Sequence, residues 1–85
     1  LSSAPDIVLI QITRDGHVLL NEVAMDDLDR LLAHLEAAAL RVPLPEVHIC
    51  TENGVPFRPV GNVIHRVVRA GLNDRIKFLD WQRAG

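Results

Sequence analysis

Residues 26–52 read DDLDRLLAHLEAAALRVPLPEVHICTE, and the order of signals within them decides the fold. Leu28, Leu31, Leu32, Leu35, Ala38, Ala39 and Val42 recur at spacings of three and four, which places them on one face of a helix of about 3.6 residues per turn. Asp26 is placed to cap that helix. Asp27 and Asp29 then fall in its first turn, where carboxylates meet unpaired N–H groups and the positive end of the helix dipole. Pro43 and Pro45 stop it, because proline lacks an N–H and crowds the turn before it. Residues 46–52 change period at once: Val47, Ile49 and Thr51 alternate with His48 and Cys50, as in a half-buried strand bounded by proline and Asn53-Gly54.

The same reading extends in both directions. Upstream, 7–13 opens as an apolar run and passes into alternation, with Val8, Ile10 and Ile12 on one face. Asp15-Gly16 is expected to supply the positive φ angles of a tight hairpin turn, and Val18 and Leu20 resume the alternation beyond it. Downstream, Val60, Val63, Ile64, Val67 and Val68 mark a second helix, and Gly71 supplies its left-handed stop. A last strand spans 75–81, with Ile76 and Phe78 on one side and Lys77, Leu79 and Trp81 on the other. The order is strand, strand, helix, strand, helix, strand. Each strand–helix–strand unit implies a right-handed crossover that leaves its two strands parallel. The predicted fold is therefore α+β: a ββαβαβ mixed sheet with both helices packed on one face, residues 7–81 forming the domain, 1–6 a linker and 82–85 a tail.

Composition narrows the function classes. Eighty-five residues make one small domain, and 48% apolar with 24% charged side chains is the balance of a folding chain, not a disordered one. The net charge of −2 argues against a dedicated nucleic-acid binder, whose affinity comes from clustered Lys and Arg. Charge is uneven along the chain: residues 1–40 carry two basic and seven acidic side chains, and residues 41–85 carry seven and four. Cys50 is the single cysteine, which rules out an intrachain disulfide. No apolar run exceeds four residues, against the ~20 that span a bilayer. The first residue is Leu1 and no signal peptide follows it, so the sequence reads as a fragment or a processed product.

Catalytic chemistry has little to work with. Nucleophilic catalysis needs a hydroxyl or thiol beside a base, and the supply is Ser2, Ser3, Thr13, Thr51 and Cys50, without any Tyr. His17, His34, His48 and His65 fall in four different elements and lack the close spacing of metal-ligand pairs. Asp26, Asp27 and Asp29 are accounted for by helix capping. Gly54 and Gly61 form no phosphate-binding pattern. No enzyme activity, cofactor or metal is expected. Arg58, Asn62, His65, Arg66 and Arg69 do recur on the outward side of the second helix, so Arg58, Arg66 and Arg69 are a candidate anion-binding face, weighed against an ordinary solvated one.

Taken together, these stretches resemble the periplasmic domain of the ExbD/TolR family. Asp15-Gly16 followed by Leu20-Asn21 is similar to the family's hairpin, and Leu28 to Leu35 to its leucine-rich first helix. Residues 45–57 (PEVHICTENGVPF) resemble the family segment V-x-I-R-A-D-x-x-V-P-Y, with Cys50, Glu52, Phe57 and Arg58 as departures. Residues 63–78 resemble its second helix, glycine stop and last strand. The resemblance covers nearly all of 7–79, and makes Glu52, Val55, Pro56 and Phe57 the family-motif loop. It implies a non-enzymatic periplasmic domain of a single-span inner-membrane protein of a Gram-negative bacterium. Such a protein pairs with a second copy, is held by an ExbB/TolQ-like membrane subunit, and relays proton-driven motion to a TonB/TolA-like protein in TonB-dependent transport or envelope maintenance. Leu20-Asn21 leans toward the ExbD side, and peptidoglycan is a further candidate ligand. The rival reading is a soluble αβ adaptor or anion-binding module unrelated to transport.

One interaction site follows from the strand order. If the sheet grows in one direction from the hairpin, 75–81 ends at its edge with unpaired backbone groups. Arg75, Lys77, Leu79 and Trp81 are then expected to bind a second copy or an extended partner by strand addition.

Overall fold

The computed structural model describes residues 6–80. The elements are β1 (Ile7–Ile12), β2 (Val18–Leu20), β3 (Val23–Ala24), α1 (Leu28–Ala38), β4 (Glu46–Thr51), α2 (Phe57–Arg69), a 3-10 turn (Asn73–Arg75) and β5 (Ile76–Asp80). The five strands form one sheet in the order β3-β2-β1-β4-β5, an α+β fold as predicted. β1 pairs antiparallel with β2 and parallel with β4, which pairs parallel with β5.

Burial alternates strictly along the central strands. Val8, Ile10, Ile12, Val18, Leu20, Val47 and Ile49 are buried on one face, where Leu31, Leu35 and Ala38 of α1 and Val63 and Val67 of α2 join them in a single core. Leu9, Gln11, Leu19, His48 and Cys50 lie on the other face and are only partly covered. Both helices thus sit on one side of the sheet, and the period-2 pattern of the strands records which side.

Five local expectations need correction. The strand before α1 cannot be β2. It runs antiparallel to β1, whereas β4 runs parallel to β1, so β2 and β4 are opposed. A further two-residue strand, β3, reverses the chain through Asn21 and Glu22, whose φ angles are 50° and 71°, and restores the parallel sense. Asn21 supports this turn by accepting the Leu9 N–H on its side-chain oxygen at 3.0 Å.

The first hairpin turn is also wider than expected. The Gly16 N–H donates to Thr13 O at 2.9 Å and the Thr13 N–H to His17 O at 2.9 Å, and only Gly16, at φ 89°, adopts the left-handed conformation. This is the arrangement of a type I turn closed by a glycine bulge, which leaves Asp15 unstrained.

At the start of α1 the cap is Asp27, whose side chain accepts the N–H groups of Asp29 and Arg30 at 3.0 and 3.4 Å. Asp26 instead accepts the Val18 N–H at 3.1 Å and ties the helix entry to β2. At its other end α1 stops at Ala38, not Val42, and Val42 is 96% exposed. The apolar period had run on into a loop. Finally, α2 begins at Phe57 and Arg75 closes the 3-10 turn, so β5 starts one residue later than the alternation implied. Val68 is exposed on α2, outside the core face.

Candidate interaction edge

β5 pairs with β4 along one side, and among the described residues its other side is an edge of the sheet. The register sets Lys77 beside His48 and Leu79 beside Cys50 on the open face, while Ile76 and Phe78 follow Val47 and Ile49 on the helix side. Two apolar side chains nevertheless remain uncovered: Phe78 is 62% exposed and Leu79 42%. An edge strand normally shields itself with charge, and here Lys77 is the charge on the open face, two residues before Leu79.

Lys77 belongs to a small polar group on the open face. Glu46 Oε1 lies 2.9 Å from His48 Nε2 and 3.6 Å from Lys77 Nζ. The hydrogen bond from His48, aided by the charge of Lys77, holds the Glu46 carboxyl below its ordinary value of 4.5. β5 is thereby pinned to β4 through side chains as well as backbone. Nearby, burial pushes the Cys50 thiol up, so it remains a protonated thiol at neutral pH, without the thiolate character of a reactive cysteine.

The other predicted positions separate. Arg75 is turned away from the edge, its Nη2 donating to Leu44 O at 3.4 Å and its Nε buried without a partner among the described residues. Trp81 lies outside the described residues. In the family-motif loop, Glu52 is committed to structure: Oε1 accepts the Arg14 N–H at 2.6 Å, and Arg14 Nε donates to Asn53 O at 3.0 Å. Gly54, at φ 86°, turns beneath the Arg14 side chain. Val55 packs against the core, Pro56 precedes α2 as its cap residue, and Phe57 opens the helix 82% exposed with its ring over Gly61. Arg58 and Arg69 are exposed at opposite ends of α2 and Arg66 is part-buried, so they form a stripe of about 16 Å rather than one pocket.

Sequence reasoning missed a surface cleft of about 360 Å³ where the hairpin meets both helices, lined by Asp15, His17, Asp26, Leu28, Pro59 and Asn62 among others. There His17 Nδ1 approaches Asp26 Oδ2 to 3.4 Å. The pair was unreadable because it depends on β3 folding the chain back onto the start of β2. The exposure of Phe78 was equally hidden, since strand alternation assigns a face but not whether a helix covers its margin. Among the described residues no group of His, Cys, Asp and Glu is arranged to hold a metal ion, and no helix is long and apolar enough to cross a membrane.

The fold and its surface define a small α+β domain with one open sheet face and an apolar strand edge. Residues 2–79 match the family model described as "Biopolymer transport protein ExbD/TolR". The chain belongs to the ExbD/TolR family, which ties it to biopolymer transport by an energy-transducing system. A search of curated proteins found no match.

Proposed function

We propose that this domain is the non-enzymatic, periplasmic part of an inner-membrane protein in a proton-driven ExbD/TolR-type complex. An ExbB/TolQ-like subunit holds its membrane segment, and the domain relays motion to a TonB/TolA-like protein. Family membership over residues 2–79 supports the setting. One observation carries the relay role: among the described residues, β5 has an unpaired outer side and keeps Phe78 and Leu79 exposed beside it. Strand addition there, by a second copy across a two-fold axis or by an extended partner segment, joins backbone hydrogen bonds to side-chain register. Arg75 contributes indirectly by bracing the entry to the strand. A homodimer in the resting complex follows from the same edge.

The proposal is tested by isolating the full-length protein from membranes with its partners. Leu79→Arg is expected to retain the membrane subunit and lose the periplasmic partner. Retention of both, in a variant whose fold is intact, would remove β5 from the relay.

The anion-binding reading of Arg58, Arg66 and Arg69 has one supporting feature: α2 presents these arginines without any acidic residue along its length. Binding of an anionic cell-wall polymer such as peptidoglycan is expected to weaken with salt and with Arg69→Ala.

A further inference from the structure

α2 carries a second apolar strip beside the one it buries. Val60, Val63 and Val67 face the core, and Val63 and Val67 are fully buried in it. Phe57, Gly61, Ile64 and Val68 follow at spacings of four, three and four, which sets them in line along a neighbouring flank of the helix. Ile64 is partly covered at the margin of the core, but Phe57 is 82% exposed and Val68 47%. The Phe57 ring lies over Gly61, its Cε2 atom 3.5 Å from where a Cβ would stand, so the ring extends along the helix toward Ile64. The strip is continuous from Phe57 to Val68.

Its direction follows from the opposite side of α2. Pro59 and Asn62 line the surface cleft with Asp26 and Leu28, so that side turns toward the start of α1 and, through Asp26, toward β2. At 3.6 residues per turn, the strip lies roughly opposite them. In the sheet order β3-β2-β1-β4-β5, the side of α2 that looks away from β2 is the β5 side. Phe78 stands there on the helix side of β5, 62% exposed. The strip and Phe78 therefore border the same uncovered margin of the domain, beside the backbone edge of β5.

We infer that this flank of α2 receives the side chains of the strand added at β5, and that the occupant is an extended segment with large apolar side chains at three alternate positions; this rests on the strand addition proposed above. From Phe57 to Val68 the strip runs about 17 Å along the helix axis, at 1.5 Å per residue. A strand of five residues covers about the same length at roughly 3.3 Å per residue, and turns its first, third and fifth side chains to one face. Backbone pairing with β5 and three apolar anchors along α2 are thus satisfied by one extended segment. A second copy fits the flank less well. The helix side of its own β5 offers Phe78, while Ile76 is already packed against the core. An amphipathic helix would cover the flank but leave the backbone edge of β5 unpaired.

The test titrates the ¹⁵N-labelled chain with the blocked peptide Lys-Val-Thr-Val-Thr-Val-Lys, whose three valines share one face, and with the same peptide carrying serine in place of valine. With the valine peptide, the amide signals of Gly61, Ile64 and Val68 are expected to shift together with those of 76–80. The serine peptide is expected to bind at least about tenfold more weakly, since it forfeits three apolar burials. Val68→Lys, at an exposed position that tolerates the change, is expected to weaken the valine peptide about fivefold, while His65→Lys, on the solvent side of the helix, leaves it unchanged. Shifts at 76–80 with none on α2, or equal affinity for the two peptides, would overturn the inference and leave strand addition standing. Shifts on α2 alone, or at neither element, would defeat strand addition at β5 as well. The inference also falls if the α2 shifts arise on concentrating the chain without peptide, which assigns the flank to a second copy. It falls equally if the peptide binds only after residues 81–85 are removed, which assigns the flank to the chain's own end.

Discussion

Glu46 and Asp26 show how single side chains tie this small domain together. Glu46 is held ionised mainly by the His48 hydrogen bond, and Asp26 mainly by the Val18 N–H, below ordinary values of 4.5 and 3.8. A carboxyl whose pKa is lower in the folded state stabilises the fold above its unfolded pKa, and that contribution is lost as pH falls through the folded value. Stability is therefore expected to decline from about pH 4.5 downward, and Glu46→Gln is expected to flatten the first part of that decline in urea midpoints measured across pH. An unchanged acid limb in the variant would dissociate Glu46 from the β4–β5 strap. The aspartates at the head of α1 give a second expectation. Asp27→Ala removes the cap and is expected to cost ~1 kcal/mol, measurable by urea unfolding. A capping aspartate was legible in residues 26–29, but which of two neighbours caps was not. That choice depends on Val18, eight residues upstream, which claims Asp26 for the sheet.

Elements were legible where their period was long and their ends carried chemistry. β1, β4 and the core faces of both helices follow from alternation and from three-and-four spacing, and Gly71 closes α2 at φ 87° as its position implied. β3 was not legible: two exposed residues, Val23 and Ala24, carry no pattern, and the strand exists because the chain must reverse direction before α1 can cross over. The extension of α1 to Val42 failed for a related reason. Hydrophobic spacing cannot tell a side chain that faces the core from one that points into water after the helix has ended. Substitutions separate the two cases. Leu35→Ala, in the fully buried centre of α1, is expected to cost 2–5 kcal/mol (~3 typical), while Val42→Asp is expected to stay within ~0.5 kcal/mol. Comparable losses at both positions in thermal or urea melts would put Val42 back on the helix.

For the whole molecule, the proposed relay rests on how the sheet ends. The sheet has one covered face, one open face and a terminal strand that is pinned to β4 by Glu46 and Lys77 yet unpaired on its outer side. That the last strand would be an edge was readable from element order alone; that Phe78 would be exposed beside Leu79 required the three-dimensional margin of α2. The most direct measurement is amide hydrogen exchange along Ile76–Asp80 in the free chain and with a second copy or an extended partner peptide in excess. Alternate β5 amides, those facing away from β4, are expected to exchange quickly when free and to become protected on association, while the amides of β3 at the other edge stay unchanged. Protection that develops at β3 or along α2, with β5 still exchanging quickly, would contradict strand addition at β5.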